Sequence, residues 1–553
     1  MTRQAGTAPF VPARYQPALP LDRLILTDGA PGAGDRTELD VLIVGAGPAG
    51  LAAAIELARL ARQDGAQLAI GVLEKAEALG EHSLSGAVVN PRSFRELFPA
   101  RPDSKFPFRQ AVTRERVCLL TSGHSIPLPT PPTMRNGGNY VASLCEIVRW
   151  LGNEAGELGV NVFTGFPAAS LLTTGARVAG VRTAATGLDR EGRPLASYAP
   201  PNDLVAKVTV LAEGTRGALA QAYLEWQRIA ADSPQLFALG VKEIWETRRP
   251  LDAIVHTLGW PLPRDAFGGS FMYPLTANLV ALGLVVGLDY PDAGLDPHAL
   301  FQQMKLHPLF RHYLEGGEMV EWGAKTIPEG GYYAVPARRS GAGVAIVGDA
   351  AGFVDVPSLK GIHYALQSGM LAARAIYPGL KSGDASAAAL AQYDRLVNAS
   401  FIMQDLYRTR NMRLAFRHGF YGGGVRAALM TLTGGRFPGG KSAVESDAAV
   451  ARRPGAPTPF VPDGKLTFSK LDAVFRSGNA TRDTIPLHLV PASEVPAPVA
   501  EFYSRMCPAG VYEVVHGTLR VNAPNCVDCK ATDVLGPRWT PREGGTGPKY
   551  KRM

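Results

Sequence analysis

A disulfide framework is missing from this chain, which spreads 5 cysteines over 553 residues. Cys118 and Cys145 stand alone, and an isolated thiol packs as a small apolar side chain. A cross-linked extracellular scaffold is thereby excluded, and a reducing compartment is expected. No apolar stretch approaches the roughly eighteen residues that a membrane-crossing helix needs. The N-terminal region carries Pro, Arg and Asp without the apolar core of an export signal, so secretion is not expected. Long basic runs are absent as well: the formal charge is +8, and Lys and Arg are dispersed. Nucleic acid is therefore not the expected partner; an acidic protein or an anionic membrane surface fits better.

What is present is a globular α/β composition, with 46% apolar and 19% charged residues. The length exceeds one hydrophobic core and suggests about three or four domains. Residues 40–44 read Asp-Val-Leu-Ile-Val, a run suited to a buried parallel strand, and Gly45-Ala-Gly-Pro-Ala-Gly50 follows at once. Gly45 permits the tight turn, Gly47 lets the backbone approach a pyrophosphate, and Gly50 lets the following helix pack on the strand. That helix starts near Pro48, where a missing amide hydrogen costs little, and its N-terminus offers free amides to an anion. A second apolar run, residues 68–73, ends at Glu74, where a carboxylate can accept ribose hydroxyls. The turn alone fits NAD as well as FAD.

Later segments favour FAD. Residues 204–214 contain a strand-like Val-Thr-Val-Leu, and residues 343–349 read Gly-Val-Ala-Ile-Val-Gly-Asp, again a strand ending in a turn. This resembles the pattern of large FAD-dependent proteins, which implies that Gly348 and Asp349 meet a ribityl chain and that a helix from about Gly361 faces the isoalloxazine ring. Asp349 also reads as an ordinary helix cap. A third centre is suggested near the C-terminus by Cys507, Cys526 and Cys529, soft ligands of the kind an iron-sulfur cluster needs. Thr532 occupies the position where a regular Cys-x2-Cys-x2-Cys run would place its last thiolate.

Many segments in one order resemble a single family. They include Glu81-His-Ser-Leu-Ser-Gly86, Gly138-Asn-Tyr-Val, His256-Thr-Leu-Gly-Trp-Pro-Leu, Gly268-Gly-Ser-Phe-Met-Tyr273, Cys507-Pro-Ala-Gly-Val-Tyr-Glu and Glu543-Gly-Gly-Thr-Gly-Pro-Lys-Tyr. The chain resembles electron transfer flavoprotein-ubiquinone oxidoreductases from about residue 39 to the end. The resemblance implies one FAD, one [4Fe-4S] cluster, electron transfer flavoprotein as donor and ubiquinone as acceptor. It also implies monotopic attachment to an energy-coupling membrane, on the cytoplasmic face of a bacterial inner membrane or the matrix side of a mitochondrial one. Carried over by position, the FAD contacts are Gly45, Gly47, Gly50, Glu74, Gly86, Gly348, Asp349, Gly361 and Ile362. Gly259 and Gly269 are candidates for the quinone carbonyls, and Cys507, Cys526 and Cys529 for the metal.

Two departures qualify the transfer. Thr532 replaces the fourth ligand, and a hydroxyl is hard and weakly acidic beside a thiolate, which leaves the site labile, three-iron, oxygen-ligated or empty. Asp533 offers a carboxylate if the loop shifts by one residue. Ile362 stands where the family usually shows a hydroxyl, so a hydrogen bond to the flavin ring is lost. His363 beside it reads better as a packing residue than as a proton donor.

The expected architecture is α/β and α+β multidomain: a Rossmann-like FAD domain with an inserted quinone-binding domain, then a ferredoxin-like iron-sulfur domain. The FAD domain takes residues 35–110, 165–235 and 335–447, the last including a membrane-surface helix with Arg417, Arg426 and Arg436 toward lipid. Residues 111–164 form an inserted segment whose proline-rich stretch from Ile126 suits an exposed, membrane-facing loop. Residues 236–334 form the quinone domain, 448–462 a linker and 463–553 the iron-sulfur domain. Two other readings stay open: a flavin-dependent reductase or hydroxylase of a polyprenyl lipid with a vestigial tail, and a subunit that kept the fold without electron transfer.

Overall fold

The computed structural model describes residues 8–27, 34–416, 420–437 and 439–553. The apolar run at 40–44 lies within a longer strand, Arg36–Val44. It is flanked by parallel strands on both sides, Ile70–Glu74 and Asp203–Leu211, with Val41 opposite Ile70 on one side and Val208 on the other. A parallel sheet buried on both faces needs helices over it. Pro48–Gln63 supplies one, and Ile362–Ser382 packs against it. The two helices meet at Gly369, where a Cβ would lie 2.1 Å from the Ala49 carbonyl oxygen. Ala168–Thr174 and Arg177–Thr183 extend this nine-stranded sheet on one side, Asn161–Thr164 closes the other, and Val344–Ile346 joins beside Asp203–Leu211.

A second sheet of seven strands stands across the first, in the order Glu318–Pro328, Phe237–Glu246, Leu279–Gly287, Gly268–Thr276, Ile254–Gly259, Glu115–Leu120 and Ser125–Leu128. Phe237–Glu246 is buried along nearly its whole length because it is covered on both faces. Glu243 on this strand is fully buried and accepts from Lys305 Nζ at 2.9 and 3.0 Å, Gln302 Nε2 at 3.0 Å and Trp245 Nε1 at 2.6 Å.

Three expectations change here. The segment 111–164 is not one insertion, since Glu115–Leu120 and Ser125–Leu128 belong to the second sheet and Asn161–Thr164 to the first. The stretch from Ile126 begins as an edge strand, Ser125–Leu128, and leaves the sheet only beyond Leu128. Pro127 pairs opposite Cys118, and an edge accepts a residue without an amide hydrogen. Residues 448–462 are no free linker. Arg452 is fully buried and donates to the carbonyls of Tyr290, Leu288 (2.7 Å) and Asp447 (2.9 Å), while Phe10 and Arg452 pair through their backbones.

The C-terminal unit is built from the helices Lys470–Phe475, Ala497–Met506 and Ala531–Leu535 and two antiparallel ribbons. Its tail packs back on the second sheet. The Tyr550 hydroxyl accepts from the Ala324 amide at 3.4 Å, and Glu321 accepts the amide of Arg552 at 2.9 Å. Met553 ends fully buried, its carbonyl accepting from the Ser143 hydroxyl at 3.1 Å.

Candidate functional site

Where the two sheets and the C-terminal unit meet lies a cavity of about 350 Å³. Gly45, Gly47, Glu74, Gly86, Gly348, Asp349, Gly361 and Ile362 all line it. Gly50 lies beneath, where a Cβ would come 2.1 Å from the Gly45 carbonyl oxygen. Gly45 itself has φ +106°, with its Cβ position 2.4 Å from the Ala212 carbonyl oxygen, so both the turn and the neighbouring strand demand glycine. Gly47 differs: its φ of −78° suits any residue, and nothing lies within 4 Å of its Cβ position. Space is kept open there over the first amides of the helix Pro48–Gln63, as an anionic phosphate requires.

Glu74 turns back to hold this floor, accepting from the Ala46 amide at 3.1 Å and the Ala76 amide at 2.9 Å. At the other end of the cavity the Thr215 hydroxyl donates to Asp349 at 3.4 Å, and burial pushes the carboxyl up to about 6 against the opposing pull of Lys325. The helix Ile362–Ser382 points its N-terminus into the same space from Gly361. An open glycine over helix amides, a carboxylate short of partners and a second helix N-terminus together fit the pyrophosphate, ribityl chain and ring of FAD.

The second sheet supplies the opposite wall. Lys242 lines the cavity with an amine that has no hydrogen-bond partner, and burial pushes it down to about 8. Tyr273 also lines it, and its hydroxyl lies 2.6 Å from His256 Nε2. Burial pushes His256 down to about 3, so the imidazole is neutral. His363 is buried, stacked on Phe401 at 6.1 Å and likewise pushed down to about 3 by burial, which is the packing role. Gly259 and Gly269 do not line this cavity. They lie on neighbouring strands of the same sheet, Gly269 paired with the cavity-lining Val285, and Cβ atoms there would meet the carbonyl oxygens of Leu120 at 2.8 Å and Thr257 at 2.7 Å.

Behind the cavity, the sulfur atoms gather. Cys507 follows the helix Ala497–Met506, and Cys526 follows a short turn at Ala523–Asn525. Asp528 (φ +53°) and Lys530 (φ +69°) reverse the chain on either side of Cys529. The three cysteines and Thr532 line one small pocket, and Thr532 Oγ1 accepts from the Tyr512 hydroxyl at 3.2 Å. Burial pushes the thiols up, Cys526 to about 12, as it does the lone Cys145. The donor set fits an iron-sulfur cluster at three corners and does not fit it at the fourth.

Lys530 and Trp539 line both the sulfur pocket and the large cavity, with the amine stacked 3.0 Å from the indole centroid. Sequence reasoning missed this shared wall, because a lysine beside a cysteine reads as a solvated charge. It also missed Asp528, which takes Lys75 at 2.5 Å, Arg542 at 3.0 Å and Trp539 Nε1 at 2.9 Å while fully buried.

Among the described residues no helix is long and apolar enough to cross a membrane. The helix Phe420–Leu432 leaves Val425, Leu429 and Leu432 exposed, with Phe437 exposed just beyond and Arg426 and Arg436 on the same surface. Arg417 lies outside the described residues.

Comparison with known proteins gives consistent results. A family model described as "ETF-QO, ubiquinone-binding" matches residues 237–327, and one described as "Electron transfer flavoprotein-ubiquinone oxidoreductase, 4Fe-4S" matches residues 464–551. The chain is 38% identical to the mitochondrial electron transfer flavoprotein-ubiquinone oxidoreductase of Dictyostelium discoideum, over 94% of this chain and 91% of that protein. It is also 38% identical to that of Homo sapiens, over 93% and 89%. Among solved structures, a geranylgeranyl bacteriochlorophyll reductase-like protein from Thermoplasma acidophilum shares the fold. Its TM-score is 0.56 at 19% identity, covering 72% of this chain and 92% of that one.

Proposed function

This chain belongs to the electron transfer flavoprotein-ubiquinone oxidoreductase family, and on that premise we propose that it carries electrons from reduced electron transfer flavoprotein to ubiquinone through FAD. The observation that carries the reading is the shared wall. One cavity is bounded by the glycine turn, by the sheet that matches the family's ubiquinone-binding model, and by Lys530 and Trp539, which also bound the thiol pocket. When bound, FAD supplies single-electron uptake and two-electron delivery.

The chain's own residues bind and orient. Gly45, Gly47 and the helix amides behind them receive the pyrophosphate, Glu74 and Asp349 accept sugar and ribityl hydroxyls, and Gly86 and Gly348 leave room for the chain of the cofactor. Gly361 and the helix it opens direct amides at the ring, and Ile362 replaces a hydroxyl there with an apolar contact that excludes water. Tyr273 lines the cavity wall, and its hydroxyl is fixed by a hydrogen bond with the neutral His256, which does not line the cavity. Gly259 and Gly269 belong to the quinone's route in from lipid. To the flavin domain of residues 35–110, 165–235 and 335–447 we add Asn161–Thr164, and to the quinone domain of 236–334 the strands Glu115–Leu120 and Ser125–Leu128; the iron-sulfur domain takes 463–553. No step is assigned to the cluster, because its fourth corner lacks a thiolate.

Attachment is monotopic in this reading. Val425, Leu429, Leu432 and Phe437 enter the headgroup boundary, with Arg426 and Arg436 at its anionic surface. The relatives' names point to mitochondria, where the corresponding side is the matrix; in a bacterium it is the cytoplasmic face of the inner membrane. The decisive assay supplies reduced electron transfer flavoprotein and a soluble ubiquinone analogue to the full-length holoprotein, with NADH and NADPH in parallel. Quinol formation without nicotinamide oxidation is expected. Nicotinamide oxidation without quinol would overturn the proposal in favour of a nicotinamide-dependent reductase.

A further inference from the structure

The pocket behind the flavin cavity is lined by three thiol-bearing residues, Cys507, Cys526 and Cys529, and by two that carry hydroxyls, Thr532 and Tyr512. Thr532 sits in the helix Ala531–Leu535, at the position of a fourth ligand, with its oxygen already accepting from Tyr512 at 3.2 Å. A neutral alcohol is a hard ligand, and it must lose a proton before it can hold iron as a thiolate does. Neither hydroxyl of this pair has a carboxylate or imidazole beside it among the described hydrogen bonds to take that proton.

The two carboxylates near the pocket are committed elsewhere. Asp533 accepts from Arg216 Nε at 2.8 Å on one oxygen and from the Trp539 amide at 3.0 Å on the other. Asp528 is held by Arg542 at 3.0 Å, Lys75 at 2.5 Å and Trp539 Nε1 at 2.9 Å. A ring nitrogen of His488 comes within 4.8 Å of the Cys526 sulfur, yet the ring does not line the pocket, and its Nε2 faces Arg542 at 3.3 Å. Shifting the loop by one residue to use Asp533 would break its pair with Arg216 and leave a buried charge without its partner.

We infer that this site holds a three-iron, four-sulfide cluster on Cys507, Cys526 and Cys529, its iron-free corner facing the Thr532–Tyr512 hydroxyl pair. The inference rests on the proposed reading of the C-terminal unit as an iron-sulfur domain and is independent of the flavin. Three thiolates anchor three irons through the shared sulfides, and the hydrogen-bonded hydroxyls fill the space that a fourth ligand and iron would take.

The test is iron and acid-labile sulfide analysis, with electron paramagnetic resonance, on full-length holoprotein purified anaerobically. The oxidised protein is expected to hold about three irons per polypeptide and a half-integer-spin signal that disappears on one-electron reduction. Thr532→Ala should keep both, because the hydroxyl ligates nothing. Thr532→Cys should raise the iron content by one and move the half-integer signal to the reduced state. Flavin content reports folding in every variant. Four irons with a silent oxidised state, or iron lost on Thr532→Ala, would make the hydroxyl a ligand and overturn the inference. A native protein that keeps its flavin but has no iron also overturns it, while leaving the flavin reading intact; iron without flavin does the reverse.

Discussion

Gly47→Ala separates the cofactor from the fold. At Gly45 a Cβ is excluded twice, by φ +106° and by the Ala212 carbonyl at 2.4 Å, so loss of flavin there would report only a broken turn. Gly47 has φ −78° and ψ −179°, and its Cβ position meets no protein atom within 4 Å. Alanine is therefore accommodated by the polypeptide. Its weaker preference at a helix N-cap and its smaller unfolded-state entropy oppose each other, so stability should change by less than about 1 kcal/mol. The methyl group instead enters the space reserved for the pyrophosphate. Losing one amide hydrogen bond to a charged oxygen costs roughly 1.5–3 kcal/mol. That weakens FAD binding about ten- to a hundredfold. The assay is FAD titration of apoprotein by fluorescence quenching, beside thermal unfolding of the same apoprotein. Unchanged affinity would refute the placement of the phosphates over Gly47; equal loss of affinity and stability would refute the claim that the site is open.

Lys305→Met strands the fully buried Glu243 carboxylate and should lower apoprotein stability by roughly 3–5 kcal/mol, whereas adding Glu243→Gln should restore part of it; thermal denaturation of the single and double variants decides. Asp528→Asn leaves Lys75 and Arg542 without their shared anion. It should raise hydrogen exchange in residues 463–553 while the sheet around Arg36–Val44 stays protected. Burial raises the Asp528 carboxyl, but Arg542 and then Lys75 hold it well below the usual range. Its stabilisation is accordingly present above the ordinary carboxylate pKa of about 4 and lost as pH falls further, a loss that Asp528→Asn should abolish in acid unfolding. Asp349 works in the opposite sense. With its folded pKa raised to about 6, apoprotein stability falls as pH rises from the ordinary carboxylate value through 6, and a matched Asp349→Asn curve should lack that slope. Val425→Glu with Leu429→Glu should reduce cosedimentation with anionic vesicles severalfold and leave flavin content unchanged.

The first nucleotide turn was legible because its constraints are local. Gly45 and Gly50 answer to a turn angle and a helix contact within a few residues, and Glu74 ends the next strand at the expected place. Asp349 was legible as well, since a strand, a turn and a helix follow in order. The seven-stranded sheet was not. Glu115–Leu120 lies far in sequence from Ile254–Gly259, and a parallel pairing between them leaves no periodic trace beyond two ordinary apolar runs. Arg452 illustrates the same limit from the polar side. Surrounded by Ala, Pro and Arg, it reads as part of a solvated linker, yet three carbonyls from two separate segments satisfy it inside the core. Pro127 was placed in a loop by its missing amide, an argument that fails on an edge strand, where one side of the backbone has no partner to lose.

The charges around the shared wall show why the C-terminal unit is built into the fold and not tethered to it. Asp528 alone faces Lys75 and Arg542, while its carbonyl oxygen lies 3.4 Å from Lys325 Nζ, and Lys530 stacks on Trp539 alongside. Asp533 is similarly occupied by Arg216. Lys75, Lys325 and Lys530 all line the flavin cavity beside Glu74, Glu213, Glu329 and Asp349, and burial pushes Lys325 and Lys530 down, so their charged forms are favoured when an anion enters. A dinucleotide pyrophosphate on one side of Lys530 and thiolates on the other would supply it, each lowering the cost of burying the same lysines. Loss of either anion should therefore loosen the hold on the other. Removing the C-terminal unit exposes the cavity's back wall and withdraws its counter-charges together, which is why residues 463–553 should prove necessary for flavin retention even though none of the glycines at 45–50 belongs to them.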